Sequence, residues 1–84
     1  MNERQFRYVV ALAEKGSFSR AAEVLNVSQP SLSQYIKRIE NEVGICLFER
    51  TGGNVRLTDA GSLYVETGRK ILDVERQMQL RFSD

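Results

Sequence analysis

The residues best suited to chemistry form one polar series, Gln29, Pro30, Ser33, Gln34 and Lys37, interleaved with apolar Leu32, Tyr35, Ile36 and Ile39. What they offer is directional hydrogen bonding. A glutamine amide can make paired hydrogen bonds to adenine N6 and N7, and a serine hydroxyl can donate or accept at several base edges. A proline ring offers an apolar contact to a thymine methyl, and a lysine can reach a guanine or a phosphate. Arg38 lies further round the same helix and is better placed for sugar-phosphate backbone. Catalytic alternatives are poorly supplied. There is no histidine, one cysteine and no Gly-rich loop between a strand and a helix. Glu40 and Glu42, two apart on a helix, cannot converge on one substrate. No catalytic residue and no metal site is assigned.

Those side chains must be held by helices, and the sequence marks where the helices begin and end. A first helix is predicted over residues 2–15, with Asn2 and Gln5 forming a capping-box pair and Phe6, Val9, Val10 and Ala13 its apolar stripe. Gly16 stops it. A second short helix runs from Phe18 to about Leu25 behind Ser17 or Ser19 as cap. Asn26 suits the left-handed turn that follows, with Val27 pointing back into the core. The third helix starts with Ser28 as cap and Pro30 in its first turn, and ends at Gly44. Leu32, Tyr35, Ile36, Ile39 and Val43 take one side, and the polar series takes the other. Two helices joined by so short a turn suggest a helix-turn-helix.

The polar face could be an ordinary solvated one. Its company argues otherwise, because no acidic residue occurs between Glu23 and Glu40 and such a run suits an approach to phosphate. A helix N-terminus also attracts phosphate, so Ser17, Ser19 and Arg20 can act on backbone in the same way. Beyond Gly44, Leu47–Arg50 and Val55–Leu57 read as a hairpin around Thr51-Gly52-Gly53-Asn54. Arg50 and Arg56 flank its tip. Thr58-Asp59 caps a long last helix whose stripe is Ala60, Leu63, Tyr64, Thr67, Ile71, Val74 and Met78.

At 84 residues the chain makes one small domain, whose core, burying only about 60–65% of the unfolded surface, is marginal alone. The net charge of +1 requires any DNA-facing charge to be concentrated on one side. Cys46 excludes an internal disulfide and a zinc pair, and is expected to be a small buried hydrophobe. No signal peptide or membrane-spanning run is present, so the cytoplasm is expected. Tyr64, Ile71 and Met78 recur every seven residues with Thr67 and Val74 between them, as in a helix that packs on a twin. Gly68 would allow close approach, and the alternative is that the helix folds back on its own domain. A dimer would place two recognition helices about 34–36 Å apart over a symmetric site.

In their order and spacing these residues resemble the LysR-type transcriptional regulators of bacteria. The resemblance runs through Phe6–Val10, Gly16-Ser17-Phe18-Ser19-Arg20-Ala21-Ala22-Glu23-Val24-Leu25, Val27-Ser28-Gln29-Pro30-Ser31-Leu32-Ser33, Ile36–Glu40, Gly44, Leu47-Phe48-Glu49-Arg50 and Leu57–Gly61. It implies a mainly α winged helix-turn-helix, three helices plus a small β-hairpin wing, followed by a long dimerising linker helix. Residues 1–58 would form the DNA-binding domain, with the helix-turn-helix at about 18–37 and the wing at about 47–57. Residues 59–84 would form the linker. The implied base-edge positions are Gln29, Pro30, Ser33 and Gln34, and Ser31, Lys37 and Arg50 match positions near backbone. Where family wings often carry a basic tip, this chain has Gly52-Gly53-Asn54, which leaves Asn54 or Arg56 to serve. The family's effector-sensing C-terminal domain has no counterpart in these residues, so a truncated chain is expected, with no cofactor of its own. The implied partners are double-stranded DNA and a second copy, at the nucleoid. A winged helix used for protein contact alone is the rival reading.

Overall fold

The structure, a computed structural model, describes residues 1–83. Four helices and one hairpin follow in the order α1 (Glu3–Lys15), α2 (Phe18–Leu25), α3 (Gln29–Val43), β1 (Phe48–Thr51), β2 (Asn54–Leu57) and α4 (Asp59–Phe82). The fold is the mainly α winged helix-turn-helix that the sequence implied.

Each boundary has a local cause. The Asn2 side chain accepts from the Gln5 backbone N–H at 2.9 Å while the Gln5 side chain accepts from the Asn2 backbone, closing the capping box of α1. Of the two serines that could cap α2, Ser17 does so, accepting from the Arg20 N–H. Ser28 caps α3, and Thr58 caps α4 by accepting from the Gly61 N–H. Asn26, at φ 59°, turns α2 into α3, and Gly44, at φ 87°, ends α3 in the left-handed conformation that glycine adopts without penalty.

The core is one cluster. Val9, Leu12, Leu32, Ile36, Ile39 and Leu47 are fully buried, joined by Phe6, Phe18, Ala21, Val55, Tyr64 and Val65. Helix α1 lies at the centre, against α2 and α4. The hairpin pairs Thr51 with Asn54 and Phe48 with Leu57. Gly52 occupies the first turn position at φ 62°, the sign a two-residue hairpin loop needs there. Two sets of hydrogen bonds from backbone N–H groups of the wing segment help to fix it to the helices. The Val55 N–H donates to the Gly16 carbonyl at 2.9 Å, and the Glu40 carboxylate accepts from the N–H groups of Leu47 and Phe48 at 2.7 and 3.1 Å.

The expectations for Cys46, Tyr64 and Gly68 fail. Cys46 is exposed, because the loop after Gly44 turns Leu47 inward and leaves Ile45 and Cys46 outside. Tyr64 belongs to the protomer's own core, 7% exposed, with its ring 4.9 Å from that of Phe6. Gly68 likewise faces inward, where a Cβ would lie 2.8 Å from the Phe6 ring. The first half of α4 therefore folds back on its own domain through Gly61, Tyr64, Val65 and Gly68. Asp84, the end of the expected linker segment, lies outside the described residues.

Candidate nucleic-acid interface

Helix α3 buries Leu32, Ile36 and Ile39 against the core, which turns its opposite side outward. Gln29, Pro30, Ser31, Gln34, Lys37 and Arg38 are all exposed there, and Ser33 is half-buried at one edge. The structure thus brings the polar series together on one continuous surface. The Ser28 hydroxyl accepts from the Ser31 N–H and donates to the Ser31 hydroxyl at 2.8 Å, which fixes the first turn.

Arg50 is the best-anchored cation. It projects from the face of the hairpin that carries Phe48 and Val55. Its guanidinium lies 4.3 Å from the centre of the Phe18 ring and donates to the Ser33 hydroxyl at 3.0 Å. Stacking on an aromatic face leaves the remaining N–H edges free and holds the fork in one orientation. The wing and the recognition helix therefore share a contact, which separation by 17 residues hides in the sequence.

Other expected residues are not brought together. Arg56 and Asn54 occupy the opposite face of the hairpin from Arg50, and Arg56 sits 4.0 Å from Glu49 across the strand pair. Arg50 and Arg56, which flank the tip and could from sequence clamp the minor groove or adjacent phosphates, thus lie on opposite faces of the wing. Ser17 is buried, and its hydroxyl is engaged by the Arg20 N–H and by the Ser19 hydroxyl at 3.1 Å. It cannot offer itself to backbone, whereas Ser19 and Arg20 beside it are exposed.

Charge separation resolves the small net charge. Arg7, Arg56, Arg69, Lys70 and Arg76 each face a carboxylate within 4.0 Å. Arg4, Lys15, Arg20, Lys37, Arg38, Arg50 and Arg81 face none among the described residues. Of the nearby acids, Glu40 is held by two backbone N–H groups and Glu42 accepts from the Gln5 amide at 3.0 Å. Five of these seven, Arg4, Arg20, Lys37, Arg38 and Arg50, thus gather around α2, α3 and the wing, while Lys15 and Arg81 lie in the last turns of α1 and α4. Sequence reasoning missed Glu40 as the brace of the wing, and it missed Arg4. The signal for Arg4 was its spacing, four residues before Tyr8 on one helical face.

On α4 the outward residues are Leu63, Thr67, Ile71, Val74 and Met78, with Leu80 and Phe82 beyond. Val74 is 69% and Phe82 79% exposed. Leu63 also borders an apolar cavity of about 270 Å³ shared with Met1, Val43 and Ile45.

With this geometry, the family described as "Bacterial regulatory helix-turn-helix protein, lysR family" matches residues 3–62. The chain belongs to the LysR family. Among curated relatives it is 41% identical over 81 residues to the HTH-type transcriptional regulator ClcR of Pseudomonas putida, covering 96% of this chain and 28% of that protein. It is 49% identical over 72 residues to the DNA-binding transcriptional dual regulator OxyR of Escherichia coli K12, covering 86% and 24%. The chain thus spans 24–28% of the length of these LysR-family relatives. Among solved structures, a complex of the BenM DNA-binding domain with catB site 1 DNA has a TM-score of 0.92 and 37% identity. The match covers 99% of this chain and 92% of that one. A CbnR DNA-binding domain complex with DNA has a TM-score of 0.89 and 35% identity, covering 99% and 95%. The relatives are regulators, which agrees with the non-enzymatic reading. No helix of the described residues is long and apolar enough to cross a membrane.

Proposed function

We propose that this chain binds double-stranded DNA sequence-specifically, as a homodimer, with α3 in the major groove. The observation that carries the proposal is the outer face of α3, where Gln29, Pro30, Gln34 and Lys37 stand exposed amid cations without carboxylate partners. Domains of this shape are known in DNA complexes at TM-scores of 0.89 and 0.92. Gln29, Pro30, Ser33, Gln34 and Lys37 read base edges. Ser19, Arg20, Ser28, Ser31, Arg38 and Arg50 hold backbone, and Asn54 and Arg56 contribute from the outer face of the wing.

The dimer contact is the outward stripe of α4, Leu63, Thr67, Ile71, Val74 and Met78. A helix of 24 residues is about 36 Å long, and beyond Glu75 every described residue of it is exposed. An isolated helical arm carrying Met78, Leu80 and Phe82 has little to hold it in water, and a second copy supplies the missing surface. Residues 1–58 then form the reading unit and α4 the linker. The site of action is wherever the DNA lies, in the cytoplasm at the nucleoid. An effector enters only in a longer protein: full-length LysG of Corynebacterium glutamicum is described with bound effector Arg, and this chain covers 28% of it.

The test is binding to a genomic fragment library at two salt concentrations. Lys37→Ala should reduce the slope of log affinity against log salt by about one. Gln34→Ala should relax base choice by about 1–3 kcal/mol at one position. If the wild-type chain binds no duplex at low salt, the proposal fails.

A further inference from the structure

A helix lying in a major groove about 12 Å wide has a phosphate backbone on each side of it. At about 100° per residue, Ser33 and Ser31 lie roughly 160° apart around α3, so they mark its two flanks. The Ser33 flank is occupied by Arg50 of the wing, stacked on Phe18. The Ser31 flank has no wing, yet it carries a matching arrangement. The Arg4 guanidinium, from the first turn of α1, lies 5.3 Å from the centre of the Tyr8 ring and 5.2 Å from that of Tyr35. These two rings meet edge to face at 4.8 Å, a rigid platform between α1 and α3. Arg4 is exposed and faces no carboxylate among the described residues. Around it lies a cavity of about 210 Å³ bordered by Ser31, Gln34 and Arg38, with no acidic residue in its lining.

We propose that Arg4, held on Tyr8 and Tyr35, grips the DNA backbone phosphate on the side of the recognition helix away from the wing, together with Arg38 and Ser31. This rests on the DNA-binding reading above and deepens it. Two guanidinium groups and a hydroxyl around one concavity fit a phosphodiester, whose single negative charge is shared by two non-bridging oxygens. Stacking orients Arg4 before the DNA arrives, so little side-chain entropy remains to be lost on contact. Arg4 and Arg50 then brace α3 from opposite walls of the groove, each over an aromatic ring.

The experiment measures affinity for the selected duplex, and for an unrelated one, across a salt series. Arg4→Gln should weaken both affinities by a similar factor, roughly three- to tenfold near 100 mM salt, and reduce the salt slope by about 0.9. Arg4→Lys keeps the charge without the planar fork and should retain the slope. Arg7→Gln, one helical turn away and paired with Glu3 at 2.8 Å, should change neither. Melting temperatures are taken alongside. If wild type binds and Arg4→Gln lowers only the melting temperature, the stacked arginine is a structural brace and the inference is overturned. If wild type itself binds no duplex, the DNA-binding reading falls first and this inference falls with it.

Discussion

Helices α3 and α4 solve the same packing problem and leave opposite remainders. Each buries one stripe in the shared core, Leu32, Ile36 and Ile39 from α3 and Tyr64 and Val65 from α4. What α3 leaves outside is amide, hydroxyl and unpaired cation. What α4 leaves outside is Leu63, Ile71, Val74 and Met78. A buried stripe reports that a helix belongs to the domain, and both helices have one. The second face reports the chemistry of the partner, since polar donors suit base edges and exposed aliphatic side chains suit another apolar surface. The two faces should therefore fail differently when each is mutated.

The largest effect is expected on the outer face of α4. Ile71→Asp puts a carboxylate into the middle of the apolar stripe and should weaken self-association by 100-fold or more, about 2.7 kcal/mol. DNA affinity should fall with it, because a monomer brings half the phosphate contacts. Light scattering and gel-shift titration on the same preparation decide the matter. A variant that remains dimeric would break the contrast between the helices.

The inner face of α4 should respond as a core does. A Cβ at Gly61 would drive into the Leu47 carbonyl oxygen, and backbone there cannot yield as a flexible side chain can. Gly61→Ala should cost about 2–3 kcal/mol of folding stability. Gly53→Ala, with open space around it and no positive φ, is the matched control and should stay within about 0.5 kcal/mol. Urea unfolding measures both. A mild Gly61→Ala would mean that α4 is not seated on Leu47 and Leu57 as described.

The connection between recognition helix and wing is the third test. Glu40→Gln keeps the size of the side chain but weakens the acceptor for the Leu47 and Phe48 N–H groups. A loss of about 1–2 kcal/mol is expected, in keeping with hydrogen bonds to a charged group. Faster hydrogen exchange at those two amides would show that the wing has loosened. Unchanged exchange would assign the positioning of the wing to the Val55–Gly16 bond and the Arg50 contacts.

Much of this was legible in the sequence because it is local. Caps at Asn2, Ser28 and Thr58, the stop at Gly44 and the hairpin around Gly52-Gly53 are each written within four residues, where hydrogen-bond geometry leaves few choices. The outer face of α3 followed from periodicity alone. What escaped reading is long-range. The Arg50 contact with Ser33 spans 17 residues and the Glu40 contact with Phe48 spans 8. Helix α4 misled for a related reason. Its inner and outer stripes lie about 100° apart, so adjacent residues such as Leu63 and Tyr64 belong to different partners. Long-range partners separate them: Phe6 packs on Tyr64 and Gly68, and Leu47 and Leu57 close on Gly61.

Tyr64 gives the smallest effect and the finest test of that separation. Its hydroxyl is buried and has no hydrogen-bond partner among the described residues, which offsets part of what its ring contributes against Phe6. Removing the oxygen removes the unpaired group, so Tyr64→Phe should leave stability at pH 7 within about 0.5 kcal/mol or raise it slightly. The pH dependence carries more information. Burial pushes the Tyr64 phenol above its ordinary value near 10, and the neighbouring Tyr35 and Glu42 push it further. As pH rises past 10 the unfolded chain releases this proton while the folded chain retains it, so the contribution is intact below that pH and declines above it. Urea unfolding at pH 7 and again near pH 11 should therefore show a smaller loss for Tyr64→Phe than for wild type. An equal loss would mean that the phenol reaches water, and would return Tyr64 to the exposed stripe on which dimerisation is proposed to rest.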